Sequence, residues 1–144
     1  MNLDEHIGIL VRNAHLNISS YVKKQLEPFN LAPEQNLIMM MLWKKDGISP
    51  NEFSCDLNKD KANIARMIAS LENKGFIKRE DDPSDKRTFK VYLTEEGKRL
   101  ENLVVPILRE TNKTVMNGIT DDQFLVLQNL LTKMSTNTLG GNKL

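Results

Sequence analysis

Residues 60–94 read DKANIARMIASLENKGFIKREDDPSDKRTFKVYLT, and the order of chemistry in this stretch decides the fold. Asp60 can accept a backbone N–H at a helix start. Ile64, Met67, Ile68 and Leu71 then recur at helical spacing as an inward stripe, and Gly75 suits the left-handed residue that closes a helix. Phe76–Arg79 and Phe89–Leu93 alternate in character and predict two short strands. The polar stretch between them, Asp-rich with Pro83 and Ser84, predicts an extended loop rather than a two-residue hairpin turn. This order puts Lys61, Ala62, Asn63, Ala65 and Arg66 near the start of a helix. It puts Asp85, Lys86 and Arg87 at the tip of a hairpin.

Upstream, Ser49-Pro50-Asn51-Glu52 is a helix start: Ser49 can cap, Pro50 sits where a missing N–H costs nothing, and Glu52 completes a capping box. That short helix ends near Leu57-Asn58. A helix-turn-helix needs a small residue where its helices cross, a residue tolerant of positive φ in the turn, and an apolar residue to lock the pair. Ser54, Asn58 and Ile64 stand at the matching places, and Asn readily replaces Gly at positive φ. The hairpin that follows makes the pattern a winged helix-turn-helix.

Working outward, Ile7, Leu10, Val11, Ala14, Ile18, Tyr21, Val22 and Leu26 predict a long first helix ending at Glu27-Pro28. A second begins near Pro33. Its body, LIMMMLW at residues 37–43, is apolar nearly all round and predicts enclosure by protein, with an end at Asp46-Gly47. Beyond the hairpin, Thr94-Glu95-Glu96 opens another long helix, which Pro106 is expected to kink. Thr120-Asp121-Asp122-Gln123 is a capping box for a last helix, with fraying expected after Met134.

The 144 residues suffice for one domain with a helical annex, and 40% apolar content for a real core. A formal charge of +1 excludes a global polycation, so affinity for an anionic partner must come from local charge, and residues 59–90 lean basic. The single cysteine, Cys55, excludes an intrachain disulfide and fits a reducing compartment; Glu52 and Asp56 beside it oppose a thiolate. Asp4 and Glu5 do not suit a signal peptide, and the longest strongly apolar run is too short to span a bilayer, so a cytoplasmic protein without a membrane partner is expected. His6 and His15 point to opposite faces of one helix, so no metal site is expected. With no nucleophile–base pair and no phosphate-binding glycine loop, neither an enzyme nor a cofactor is expected. Met39, Met40, Met41 and Trp43 suit either an adaptable pocket for an aromatic effector or plain core, and core is the favoured reading.

At this point the chain resembles the MarR family of bacterial transcriptional regulators over roughly residues 5–137. The most specific segment is Asp81-Asp82-Pro83-Ser84-Asp85-Lys86-Arg87, continuing to Leu93-Thr94-Glu95-Glu96-Gly97. The family pattern of Asp, one residue, Arg, five residues, then Leu-Thr is met in register by Asp85, Arg87, Leu93 and Thr94. The family usually has Gly and an apolar residue where Asn58 and Lys59 stand, and often Thr where Ala32 stands.

The fold expected is mostly α with a small β-hairpin wing. A winged helix-turn-helix over residues 33–94 would be embedded in a helical dimerisation region, residues 1–30 and 95–138, with a flexible tail at 139–144. The resemblance implies a homodimeric regulator, a repressor of an inverted-repeat operator in double-stranded DNA, released by a small aromatic or amphipathic effector. Arg66 and Asn63 are the expected base readers, and Lys61 is expected to meet phosphate. Ala62 and Ala65 leave room for a thymine methyl. Arg87 would enter the minor groove beside Lys86, steadied by Asp85, for which Arg79 is a rival partner. Ser49 and the N–H groups it precedes could seat a phosphate. The alternative is a winged-helix scaffold for protein interaction without DNA binding, which the small net charge favours.

Overall fold

In the computed structural model, which describes residues 2–140, helix ends fall where side chains satisfy free backbone groups. The elements are α1 (Ile7–Leu26), α2 (Pro33–Lys44), α3 (Pro50–Leu57), α4 (Lys61–Asn73), β1 (Ile77–Asp82), β2 (Asp85–Leu93), α5 (Glu95–Val115) and α6 (Asp121–Gly140). Single 3-10 turns lie at Leu3–Glu5 and Glu27–Phe29. This is the mostly helical fold with a hairpin wing that the sequence predicts. The chain divides into two compact units at Thr111–Asn112.

In the first unit, α3 begins where Ser49 Oγ accepts the Glu52 N–H at 3.2 Å, and α4 where Asp60 accepts the Asn63 N–H at 2.7 Å. Between them Asn58 takes the left-handed conformation, φ 52 and ψ 48. Ser54 holds the turn from inside: its hydroxyl donates to the Lys59 carbonyl at 2.5 Å, and its carbonyl accepts the Lys59 N–H at 3.2 Å. Phe53, Ile64, Ile68 and Leu71 are fully buried and share one core with Ile38 and Leu42 of α2. An L-residue without a locally bonding side chain is penalised by about 1–2 kcal/mol in the left-handed region. Asn58→Ala should therefore lose about 1 kcal/mol in a urea melt while Asn58→Gly stays within about 0.5 kcal/mol of the parent.

The second helix departs from expectation. Ala32 offers no side-chain cap, yet the reciprocal half of the box survives, because Gln35 Oε1 accepts the Ala32 N–H at 3.3 Å. The helix stops at Lys44, just before Asp46-Gly47, as Lys45 turns extended at φ −150 and ψ 112, and the Asp46 carboxylate anchors the loop that follows. It accepts the N–H of Leu93 at 2.9 Å and that of Gly47 at 3.2 Å, tying this loop to β2. Nor is the apolar body enclosed all round: Ile38, Met39 and Leu42 are buried, whereas Leu37 and Met40 are exposed on another face.

The wing is tighter than predicted. β1 and β2 pair antiparallel from Ile77↔Leu93 to Asp81↔Phe89, and then Asp82 pairs with Asp85, so only Pro83 and Ser84 connect the strands. The extended loop expected there is replaced by a turn that Asp82 closes, accepting the Ser84 hydroxyl at 2.7 Å and the Ser84 N–H at 2.9 Å. Those two bonds, the hydroxyl's first, hold the Asp82 carboxyl below its ordinary range. Ile48 adds a one-residue third strand, exchanging both backbone hydrogen bonds with Val91 at 3.1 and 2.8 Å.

α5 runs unbroken through Pro106. In the second unit, Thr120 and Gln123 form the predicted capping box, with reciprocal bonds of 2.9 and 3.1 Å. Fraying after Met134 does not occur within the described residues: α6 continues to Gly140, and the Thr138 hydroxyl bonds back to the carbonyls of Met134 and Ser135. The rest of the expected tail, residues 141–144, lies outside the described residues. Among the described residues, no helix is long and apolar enough to cross a membrane.

Candidate nucleic-acid interface

The inward stripe of α4 fixes what its other face presents. With Ile64, Met67 and Ile68 committed to the core, Lys61, Ala62, Ala65 and Arg66 are exposed and Asn63 is half-buried. Among the described residues, the side chains of Lys61, Asn63 and Arg66 have no hydrogen bond or ion pair within the chain. Two cations and an amide are thus free to bind, on a helix whose small alanines allow close approach to a surface.

The second projection arises from pairing register. Across the step from Asp81 to Asp82, β2 advances from Phe89 to Asp85, leaving Lys86, Arg87 and Thr88 without opposite residues. An irregularity of this kind bends the strand and re-aims its side chains. Asp85 organises it: its carboxylate accepts the Arg87 backbone N–H at 3.0 Å and Nε at 3.4 Å, and its carbonyl accepts the Thr88 hydroxyl at 3.2 Å. The Arg87 side chain is nevertheless 91% exposed, so its other guanidinium donors face outward. Arg79 does not compete for Asp85. It pairs with Glu72 at 3.2 Å and stacks over the Phe89 ring at 4.9 Å.

A cleft of about 440 Å³ separates the start of α3 from the wing, lined by Ser49, Glu52, Asp82, Arg87 and Lys90 among others. Two carboxylates balance two cations there, and the Ser49 hydroxyl is already engaged with Glu52. Ser49 therefore has a weaker geometric case for phosphate than Arg66 or Arg87. Cys55 is free and exposed on α3. Among the described residues, no cluster of three or more His, Cys, Asp or Glu is placed to hold a metal ion.

A larger cavity, about 950 Å³, lies within the first unit between α1, the α2 face carrying Leu37 and Met40, the helix-turn-helix and Leu108 of α5. Of Met39, Met40, Met41 and Trp43, only Met40 lines it. Met39 is core, Met41 and Trp43 pack against the core, and Trp43 Nε1 donates to the Gly97 carbonyl at 2.9 Å. Met40 alone bears out the pocket alternative among those four residues, and the walls from α1, the turn and α5 were not legible from the sequence.

The sequence profile of the MarR family matches residues 31–89. The transcriptional regulator HosA of Escherichia coli is 30% identical over 105 residues, covering 73% of this chain and 78% of HosA. The crystal structure of a MarR transcriptional regulator from Methanosarcina mazei has a TM-score of 0.80 at 31% identity, covering 93% of this chain and 96% of that one. The S. aureus MepR–DNA complex is similar in fold, with a TM-score of 0.85 at 23% identity over 92% of this chain and 98% of that one.

Proposed function

The chain belongs to the MarR family of winged-helix, DNA-binding transcriptional regulators, and on that premise we propose that it is a homodimeric repressor of an inverted-repeat operator, released by a small molecule. In this reading α4 lies in the major groove, Arg66 and Asn63 read base edges, and Lys61 meets phosphate. Ala62 and Ala65 lie against thymine methyls, and Ser49 borders the phosphate backbone. The wing carries Lys86 and Arg87 to the flanking minor groove, Asp85 holding the arginine in place. One observation carries the reading: α4 and the wing each present cations that nothing among the described residues engages fully, on two projections built by independent local devices.

Exposed apolar side chains support a second copy. α1 leaves Ile7, Leu10, Val11 and Ile18 exposed, and α6 leaves Phe124, Leu127, Leu130 and Leu131 exposed. Such surface is costly in water and matches residues 1–30 and 95–138 as the dimerisation region. The cavity beside the helix-turn-helix is the proposed effector site, because its walls include Leu57 and Lys59 at the turn. A ligand there would alter how α4 is held.

Selection of bound duplexes from a random pool tests this reading. The expected product is an inverted repeat with half-sites about 10 base pairs apart. A monomer at micromolar concentration, or no binding to any duplex at low salt, would overturn it and favour the protein-interaction scaffold.

A further inference from the structure

The floor of the large cavity holds one polar side chain that the fold leaves poorly satisfied. Asn36 is only 3% exposed, and its Oδ1 has no hydrogen-bond partner among the described residues. Its Nδ2 donates only to the thioether of Met40 at 3.4 Å, a weak acceptor. Two of the other polar side chains lining the cavity, Lys59 and Gln35, are engaged within the chain. Lys59, whose side chain is 18% exposed, is paired with Glu34 at 3.0 Å. Gln35 donates to the Ser70 hydroxyl at 2.9 Å and accepts from Lys74 Nζ at 2.7 Å. Met40 is 46% exposed and lines the same cavity. Its three soft torsions can carry the thioether off the amide without disturbing the backbone.

We infer that the cavity takes an uncharged ligand with a flat apolar body and a head group pairing a donor with an acceptor, as in an aryl carboxamide, and that Asn36 recognises that head group. The apolar walls, Leu16, Leu37 and Leu108, accept the body. With Met40 displaced, the Asn36 amide offers one acceptor and one donor, and a carboxamide returns one donor and one acceptor. A carboxylate of the same shape places oxygen against Oδ1 and supplies nothing to it. Glu34 already neutralises Lys59, so that ammonium offers an acid no unpaired charge; Lys23 also lines the cavity, but it is exposed on α1, where solvent leaves an ion pair little net worth. The inference rests on the cavity being the effector site and names the class of effector.

The test uses the full chain and three probes of equal size: 2-naphthamide, 2-naphthoate and 2-acetonaphthone, titrated by calorimetry. A buried polar group left unpaired is expected to lower affinity at least 10-fold, so the amide should bind at least 10-fold tighter than the acid and the ketone. Asn36→Leu should erase that preference, and Lys59→Met should leave it intact. The inference is overturned if no probe binds, if the acid binds as tightly as the amide, or if the preference survives Asn36→Leu. The three probes on the unmodified chain decide the matter even if that variant does not fold. Duplex affinity, measured separately, keeps the two readings apart. Failure of all probes with DNA binding intact removes the ligand class alone. Amide binding that depends on Asn36 but leaves duplex affinity unchanged upholds the site and removes its regulatory role.

Discussion

Gly97→Ala is expected to destabilise the first unit by about 3 kcal/mol or more, although the substitution improves helix propensity. Gly97 lies in the first turn of α5, where alanine normally gains about 1 kcal/mol over glycine. Sterics reverse the sign. A Cβ at this position would sit 2.1 Å from the carbonyl oxygen of Phe76, 3.1 Å from its carbon and 3.3 Å from Leu93 Cδ2. Neither backbone can retreat cheaply. The Phe76 carbonyl accepts the Thr94 N–H at 3.1 Å, the Phe76 N–H donates to Leu71 at 3.1 Å, and the Thr94 hydroxyl donates to the Gly75 carbonyl at 2.6 Å. Gly97 is itself held from both sides, its N–H by Thr94 Oγ1 at 3.1 Å and its carbonyl by Trp43 at 2.9 Å. Relief of the clash must break this set, which joins the end of α4, the root of the wing and the start of α5. Against a typical total stability of about 5–15 kcal/mol, the loss would appear as a large fall in urea midpoint at unchanged slope. A midpoint within experimental error of the parent would show that the two segments separate freely.

The same residues show why some of the fold was legible in the sequence and some was not. Ser49, Asp60 and Thr120 act on N–H groups three residues away, so their chemistry is complete within a short window and their caps form as read. Asn58 is similar, since one residue's tolerance of positive φ decides the turn. The wing was legible only in outline. Its two-residue connection and the unopposed Lys86–Thr88 segment depend on how β1 and β2 register, and the charge of Asp81 and Asp82 hid their extended conformation. An exposed hairpin needs no apolar alternation, so the signal that marks buried strands was missing there. The close approach at Gly97 and the orphaned amide of Asn36 are tertiary facts that no local pattern encodes. Of the candidate interface, the α4 residues followed from helical periodicity; Asn63, half-buried, is the one the geometry presents least openly. The Asp85–Arg87 pairing over Arg79 was settled only by Glu72 and Phe89 occupying the rival.

Arg66→Ala and Arg87→Ala should both weaken operator binding strongly, but in distinguishable ways. On α4, Arg66 has a free guanidinium, and a bidentate arginine–guanine pair carries about 1–3 kcal/mol of discrimination. Two symmetric copies double that, so Arg66→Ala should weaken the selected operator by about 30-fold to 10⁴-fold while leaving affinity for random duplex much less affected. At the wing, Arg87 is held at its backbone by Asp85 with its remaining donors outward, the arrangement for a groove or phosphate contact rather than a base-edge code. Arg87→Ala should therefore weaken specific and random duplexes alike. The dependence of log affinity on log salt should flatten by about one unit per arginine removed, about two per dimer. The largest loss is expected on operators with A·T-rich flanks, where a narrow minor groove deepens the negative potential. Affinity measured across a salt series for both variants, on operator and on random duplex, separates the two roles. If Arg66→Ala lowers affinity equally on all sequences, α4 is not the reader. If Arg87→Ala leaves the salt slope unchanged, the wing does not touch DNA, and the unopposed segment at its tip must serve something else.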